Sequence, residues 1–191
     1  MSTAQSERPL RADAQRNRDK LLTVAVDAFA EHGIEASLED IARRAGVGIG
    51  TLYRHFPTRE ALVEAAYRTE LDKLCDAAPA LLTTLPPDRA LRAWMDRFVD
   101  YMTTKRGMAE ALKVVIASGG NPYAVSRDRL LTAVGSLLDA GITAGVLRAD
   151  VPAADVLTSL SGVTLAATER EQAGRLLDLL VDGLVRVAAG R

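Results

Sequence analysis

The chain has 191 residues, of which 48% are hydrophobic and only 4% aromatic, so a core can form and must consist mainly of aliphatic side chains. The formal net charge is −1, which excludes an overall basic field as a signal for nucleic acid and leaves only local charge to indicate it. A single cysteine excludes an internal disulfide, and we found no run of 18 apolar residues and no signal-peptide pattern, so we expect a cytoplasmic protein without a membrane span.

Helical periodicity recurs along the chain and predicts an all-α fold of about nine helices. A polar N-terminal arm precedes the first predicted helix, which starts near Arg16 and ends at Gly33, where a left-handed glycine can stop it. Ser37 is a good N-cap for the second helix, and Asp40 follows three residues later, as in a capping box. Gly46 is expected to end this helix.

The third predicted helix is short, covers residues 48–55 and cannot continue past Pro57. Thr58 is the expected N-cap of the fourth helix, and we expect that helix to break near Pro79. Five more helices complete the pattern and are predicted over residues 87–105, 108–117, 124–145, 153–167 and 171–188.

The glycine-rich stretch GVGIGTLYRHF at residues 46–56 is better explained by a helix-turn-helix than by a nucleotide loop. A Rossmann or Walker loop follows a buried strand, whereas a capped amphipathic helix precedes this one, and its glycine spacing matches neither motif. In a helix-turn-helix, Gly46 supplies the turn, while Leu52 and Phe56 seat the second helix against the first. The small residues then form the leading end of a recognition helix, which approaches base edges in the major groove.

Local charge supports the same interpretation. Residues 41–59 contain no Asp or Glu but include four arginines, at positions 43, 44, 54 and 59. An ordinary solvated face is the alternative explanation, and it stays open for the basic residues of the N-terminal arm. A histidine at position 32 lies at a predicted helix end, where a cation suits the helix dipole, so we interpret His32 as structural.

The segment SLEDIARRAGVGIGTLYRHFPTREALVEAAY resembles the TetR family of transcriptional regulators. The resemblance covers residues of about 18–66. It includes the signature of the first helix (Ala28, Phe29 and Gly33) and the paired helices that follow. It also includes Thr51-Leu52-Tyr53, His55-Phe56 and the basic residue Arg59. It implies an N-terminal three-helix DNA-binding domain, here residues 1–57 with the arm. It also implies a C-terminal helical domain for dimerisation and ligand binding, here residues 58–191.

The resemblance also implies which residues meet an operator of double-stranded DNA. Gly48, Ile49, Gly50 and Thr51 would face bases or adjacent phosphates, and Arg44 and Arg54 would reach base edges. The remaining expected contacts are to the DNA backbone, from Ser37, Tyr53, His55 and Arg59. The family often has Ser or Thr where Gly48 lies, so this recognition helix is expected to start without a side-chain cap.

By the same resemblance the protein is expected to be a homodimer, with its interface in residues 153–188. The apolar side chains predicted to provide that surface are Leu157, Leu160, Val163, Leu176, Leu177, Leu180 and Leu184. A small apolar or amphipathic effector is expected to bind among the middle helices and release the repressor from DNA. Its candidate contacts, each of which could equally be plain core, are Trp94, Phe98, Met102, Met108, Leu112 and Tyr123.

Two other classes of function were considered. A regulator controlled by a protein partner, or an activator, would keep the same DNA-binding domain and need no ligand cavity. An enzyme is disfavoured, because two histidines and one cysteine, widely spaced, do not assemble a metal site, and no nucleophile motif occurs. We therefore expect no metal and no cofactor.

Overall fold

A computed structural model of the chain describes the backbone of residues 4–186 and the side chains of residues 12–186. Within this range the prediction of an all-α fold is confirmed. The helices are α1 (Ala4–His32), α2 (Leu38–Arg44), α3 (Ile49–His55), α4 (Arg59–Leu82), α5 (Pro87–Gly107), α6 (Ala109–Ala117), α7 (Ser126–Thr143), α8 (Ala153–Ala166) and α9 (Arg170–Leu184), with a 3₁₀ turn at Gly33–Glu35.

The helices form two compact units. Unit 1 contains the chain up to Glu70 together with Thr104–Pro122, and unit 2 contains Leu71–Thr103 together with the chain from Tyr123 onward. The division runs through α4 and α5, so each of these helices contributes to both units. The division into functional domains at residues 57 and 58 stays a prediction.

Helix α1 is longer than the sequence pattern indicated. The expected polar arm is helical from Ala4, although the first core residue of α1 is Leu21. The arm shows no apolar periodicity, but it is rich in residues that favour helices. Contacts one turn apart also support it: Gln15 Nε2 donates to Asp19 Oδ1 at 2.7 Å, and Arg16 pairs with Asp13.

The helix starts in unit 1 follow the predicted caps. Ser37 Oγ accepts a hydrogen bond from the Asp40 main-chain nitrogen at 3.2 Å, and Thr58 Oγ1 accepts one from Ala61 at 3.1 Å. The carboxylate of Asp40 forms ion pairs with arginines of α2, and the Ser37 hydroxyl donates to Glu39 Oε2 at 3.1 Å. The cap at Ser37 is therefore confirmed, with Glu39 rather than Asp40 as its side-chain partner.

The turn between α2 and α3 depends on a left-handed glycine. Gly46 has φ +70, and its nitrogen donates to the Arg43 carbonyl at 3.1 Å. The Val47 nitrogen then donates to the Ala42 carbonyl at 3.0 Å. These two bonds close the end of α2 in the manner expected of a glycine C-cap and direct the chain into α3.

The junction between α5 and α6 packs on the end of α1 through a very close backbone approach at Gly107. A Cβ built on Gly107 would lie only 2.4 Å from the Ala30 carbonyl oxygen. Met108, the N-cap of α6, and Ala111 and Leu112 within the helix are buried. Only glycine fits at position 107, and this contact fixes the start of α6 on α1 within unit 1.

In unit 2 the core forms around Trp94, Met95 and Phe98 of α5. The prediction that α4 breaks near Pro79 was wrong, because the helix continues to Leu82 with Pro79 inside it. The neighbouring Ala77, Ala78 and Leu81 are buried, and this packing compensates for the main-chain bond that proline lacks. The Trp94 indole also donates to the Leu74 carbonyl at 2.9 Å and ties α4 to α5.

Helix α9 is held to other elements of unit 2 by polar contacts that the sequence did not indicate. Arg92 Nε donates to Asp178 Oδ1 at 2.7 Å, and Arg170 pairs with Asp100. Beyond α9, the Arg186 nitrogen donates to the Val146 carbonyl at 2.9 Å in an isolated antiparallel bridge between Leu147 and Val185. This bridge ends α9 at Leu184, four residues before the predicted end; residues 187 and 188 lie outside the described range.

Replacement of Gly107 by alanine is expected to lower the free energy of unfolding by about 1–3 kcal/mol, because the new Cβ overlaps the Ala30 backbone. Chemical denaturation measures this change. Gly135→Ala in α7 is the matched control: its Cβ meets nothing within 4 Å, so we expect an increase of about 0.5–1 kcal/mol from helix propensity. Equal effects of the two substitutions would contradict the close packing at position 107.

Gly46→Ala is expected to destabilise the protein by about 1–2 kcal/mol, since alanine is strained at φ +70 even where space is free. Gly48→Ala is the control two residues later, with φ −73 and open space, and should cost less, about 0.5 kcal/mol, because alanine is only a poorer N-cap there and is not strained. Denaturant titration of both variants checks the pair. A Gly46→Ala protein as stable as the Gly48→Ala protein would show that the turn does not need glycine.

Candidate DNA-binding surface

Helix α3 has one buried face and one exposed face. Leu52 is fully buried, and Phe56, the C-cap of α3, is 3% exposed. By contrast, Tyr53 is 45% and Ile49 is 37% exposed. Gly50 and Arg54 are also exposed, and Gly50 lies on the same side of the helix as both Tyr53 and Arg54, which follow it by three and four residues. The exposed face is therefore available to a partner, while the other face fixes the helix in unit 1.

The start of α3 presents main chain rather than side chains. Gly48 is the N-cap in extended conformation and makes no side-chain cap bond, as predicted. The Thr51 and Leu52 nitrogens bond its carbonyl at 2.8 and 3.2 Å. Cβ atoms built at Gly48 and Gly50 meet nothing within 4 Å, so the protein itself does not require glycine at either position for lack of space.

The arginines of α2 share one carboxylate. Asp40 pairs with Arg43, and its other oxygen lies 3.9 Å from Arg44 Nη1. Asp40 lies just outside the acid-free stretch of residues 41–59, so the local charge count did not include it, although spacings of three and four residues on a helix indicate such pairs. Exposed ion pairs are weak, so phosphate groups can compete for these guanidinium groups.

Arg54, in the last turn of α3, is exposed and its guanidinium folds back along the helix. Its Nε donates to the Gly50 carbonyl at 3.3 Å. This bond is long and lies at the surface, so it offers little resistance to rotation of the side chain towards another acceptor.

Arg59 and Arg18 have internal contacts in unit 1. The Arg59 guanidinium donates to the Ile34 carbonyl and lies 5.3 Å from the centre of the Phe29 ring. The Arg18 guanidinium lies 5.4 Å from the centre of the Phe56 ring, next to the end of α3. These contacts join residues that are far apart in the sequence, so no local sequence pattern predicts them. They give both arginines a structural role. That Arg59 also binds phosphate stays a prediction.

The other predicted DNA contacts lie along the same part of unit 1. Ser37 is exposed beside α2, while Thr51 and His55 are half-buried in α3. The His55 ring lies 6.2 Å from the Phe56 ring in a tilted arrangement, so its apolar body packs while part of it stays accessible. The structure thus places the predicted DNA contacts between Ser37 and Arg59, on α2, α3, their flanks and the start of α4.

The six predicted ligand contacts are divided between the units. Trp94, Phe98, Met102 and Tyr123 belong to unit 2, and Met108 and Leu112 belong to unit 1. Trp94, Phe98, Met108 and Leu112 are at most 1% exposed, whereas Met102 and Tyr123 are half-buried. Their role as ligand contacts stays a prediction, and it requires displacement of packed side chains.

Two cavities have other linings. One, of about 220 Å³, lies in unit 1 and is lined by Ile34, Arg59, Glu60, Val63, Ala111 and Val114. The other is an open groove in unit 2 of about 470 Å³, lined by Cys75, Asp76, Pro79, Asp128, Arg129, Thr132, Ala133 and Ser136. Burial raises the pKa of the Cys75 thiol, and the Asp72 and Asp76 carboxylates act in the same direction against Arg129. The reactive thiolate is therefore disfavoured in that groove.

No group of three His, Cys, Asp or Glu side chains in the described part of the chain could hold a metal ion. None of the helices described there has the combined length and apolarity that crossing a membrane requires.

Comparison with known proteins matches both halves of the chain to one family. Residues 21–66 match the profile for bacterial regulatory proteins of the tetR family. Residues 86–186, more than half of the chain, match the profile of the SbtR-like transcriptional regulator C-terminal domain.

Solved structures and curated relatives agree. A TetR transcriptional regulator from Streptomyces coelicolor is 54% identical with a TM-score of 0.85, covering 90% of this chain and 99% of its own. A TetR transcription regulatory protein from Mycobacterium vanbaalenii is 36% identical with a TM-score of 0.79, covering 93% and 100%.

Among curated relatives, an HTH-type transcriptional regulator from Staphylococcus aureus strain USA300 is 39% identical over 64 residues. That match covers 33% of this chain and only 35% of the length of the relative. The two structures and the C-terminal profile extend the likeness over most of the chain. The chain belongs to the TetR family of transcriptional regulators, whose members bind DNA through a helix-turn-helix and are not enzymes.

Proposed function

We propose that the protein is a dimeric repressor that binds a palindromic operator and is released from it by a small apolar or amphipathic ligand. The observation that carries the proposal is the exposed face of α3, with Gly50, Tyr53 and Arg54 accessible while Leu52 is buried. A recognition helix has this arrangement, because one face must be fixed to the domain and the other must enter the major groove.

The chemistry of that face favours close contact with DNA. Without a side chain at Gly48 or Gly50, the main chain at the start of α3 can approach the duplex. The first N–H groups of a helix lack intrahelical partners and attract phosphate. Arg44 and Arg54 then remain as the long side chains that reach base edges, and Ile49, Thr51, Tyr53, His55, Ser37 and Arg59 complete the proposed contact set.

Exposed leucines of the last two helices support dimerisation. Leu165 of α8 is 75% and Leu179 of α9 is 68% exposed. Of the seven apolar side chains expected at the interface, Leu157, Leu160, Leu177 and Leu184 are instead buried within the protomer. The proposed interface therefore centres on Leu165 and Leu179, and the other three expected residues, Val163, Leu176 and Leu180, are half-buried. A two-fold axis would then set the spacing of the two α3 helices, ideally about 34 Å for successive major grooves.

Selection of bound duplexes from a random DNA pool tests the proposed function directly. A pair of inverted half-sites whose centres lie about 10 base pairs, or one helical turn, apart is the expected result. Recovery of a single half-site would contradict the dimeric reading, and recovery of no preferred sequence would contradict specific regulation.

Arg54→Ala is expected to weaken binding to the selected operator by about 1–3 kcal/mol, because a bidentate contact to a base is lost. Binding to random DNA should change little. Fluorescence anisotropy with both duplexes measures the difference. Arg97→Ala, which removes an exposed arginine from α5 in unit 2, is the charge-matched control and should leave both affinities unchanged. Equal weakening on operator and random DNA would exclude base recognition by Arg54.

Leu179→Asp is expected to convert the dimer to monomer, because each protomer loses about 1.5–3 kcal/mol of apolar burial and a carboxylate replaces it. Analytical ultracentrifugation measures the dissociation constant, which should rise at least tenfold, and operator affinity should fall with it. Ile116→Asp replaces another half-exposed apolar residue, on α6, and serves as the control. A Leu179→Asp protein that dimerises like the wild type would place the interface elsewhere.

A further inference from the structure

The cavity of unit 1 lies where three elements of the DNA-binding region meet. Ile34 of the 3₁₀ turn forms one wall, Arg59, Glu60 and Val63 of the first α4 turns form another, and Ala111 and Val114 of α6 form the third. Its volume is about 220 Å³, and its surface is almost entirely apolar. None of the predicted DNA contacts except Arg59 lines it.

Size and lining decide what this cavity can hold. The cavity is partly open to solvent, since Ile34 and Val114 in its walls are 50% and 43% exposed. Its volume exceeds the roughly 150 Å³ that accommodates benzene in an apolar cavity, so it suits a molecule with one ring or a short aliphatic chain. Charged groups are excluded from the interior, since burial without hydrogen-bond partners is costly. Arg59 and Glu60 belong to the α4 wall, but polar atoms form almost none of the cavity surface. The Arg59 guanidinium is directed to the Ile34 carbonyl and the Phe29 ring.

We propose that the cavity lined by Ile34, Val63, Ala111 and Val114 is a binding site for small uncharged apolar molecules, and that its occupancy changes operator affinity. The proposal rests on the proposed function for its regulatory meaning. It locates a ligand site within the DNA-binding unit itself, apart from the buried side chains of α5.

The coupling follows from what the cavity walls hold in place. The Arg59 guanidinium donates to the Ile34 carbonyl, so it links the start of α4 to the 3₁₀ turn. Ile34 lies three residues before Ser37, the N-cap of α2. A ligand that contacts Ile34 and Arg59 therefore acts on the segment that positions the first helix of the helix-turn-helix.

The wall formed by α6 cannot simply move away from a ligand. Helix α6 begins next to Gly107, whose close approach to the Ala30 backbone fixes that end of the wall on α1. A molecule larger than the empty space must then displace Ile34, which is half exposed and sits in the short turn. A ligand that binds one arrangement of this turn better than another shifts operator affinity by its differential affinity, as linkage requires.

The test uses the full chain, with toluene as the probe and the operator obtained by selection. Isothermal titration calorimetry measures toluene binding without DNA, and fluorescence anisotropy measures operator affinity with and without saturating toluene. Val114→Phe fills the cavity from its rim and should weaken toluene binding at least tenfold. Ile116→Phe, on the same helix but outside the cavity, is the matched control and should bind toluene within twofold of the wild type.

Operator affinity should change at least threefold with toluene in the wild type and in Ile116→Phe, but not in Val114→Phe. Ile34→Ala is a second variant. It truncates a half-exposed side chain of the cavity wall, so it carries little risk to folding, and it should also weaken toluene binding. Absence of toluene binding by the wild type, or toluene binding as tight as that of the wild type in both Val114→Phe and Ile34→Ala, would overturn the site. An operator bound equally with and without toluene would overturn this inference alone, whereas failure to select any operator would overturn the proposed function.

Discussion

The DNA-facing surface depends on the burial of Leu52 and Phe56 beneath α3. This helix has seven residues, no side-chain cap and a glycine inside it, and isolated helices shorter than about 12 residues are marginal in water. Full burial of a leucine or phenylalanine stabilises by about 1.5–3 kcal/mol, more than helix propensity can supply here. The position of α3 is therefore set by the surface on which it packs, and movement of α2 or α1 is transmitted to it.

Because the burial of Leu52 and Phe56 holds α3 in place, this helix can tolerate glycines at its leading end. Gly48 and Gly50 weaken α3 locally but leave room for the duplex at its leading end. Long side chains that can distinguish bases are then few, and Arg44 is partly engaged by Asp40. Because exposed ion pairs contribute only about 0–1 kcal/mol, exchange of Asp40 for a phosphate or base costs little. Sequence discrimination would then rest on Arg54 more than on any other side chain.

The sequence predicted the local features of this surface and missed those that join distant residues. Caps at Ser37 and Thr58, the glycine turn at Gly46 and the two faces of α3 follow from rules that span four residues or fewer, and the structure confirms them. The length of α1 and the continuation of α4 through Pro79 were not predicted, because propensity and tertiary packing decided them. The contact of Arg59 with Ile34 joins positions 25 residues apart and has no periodic signal.

The same long-range contacts explain why α6 belongs with the DNA-binding helices rather than with the helices that follow it in sequence. Gly107, the last residue of α5, brings the start of α6 against the backbone of α1, and Ile34 of the 3₁₀ turn lines one cavity together with residues of α4 and α6. The turn that leads into α2 is thus supported on one side by an element from much later in the chain. A ligand acting there would need no relay through the second unit, since Ile34 is joined to Ser37 by only two intervening residues.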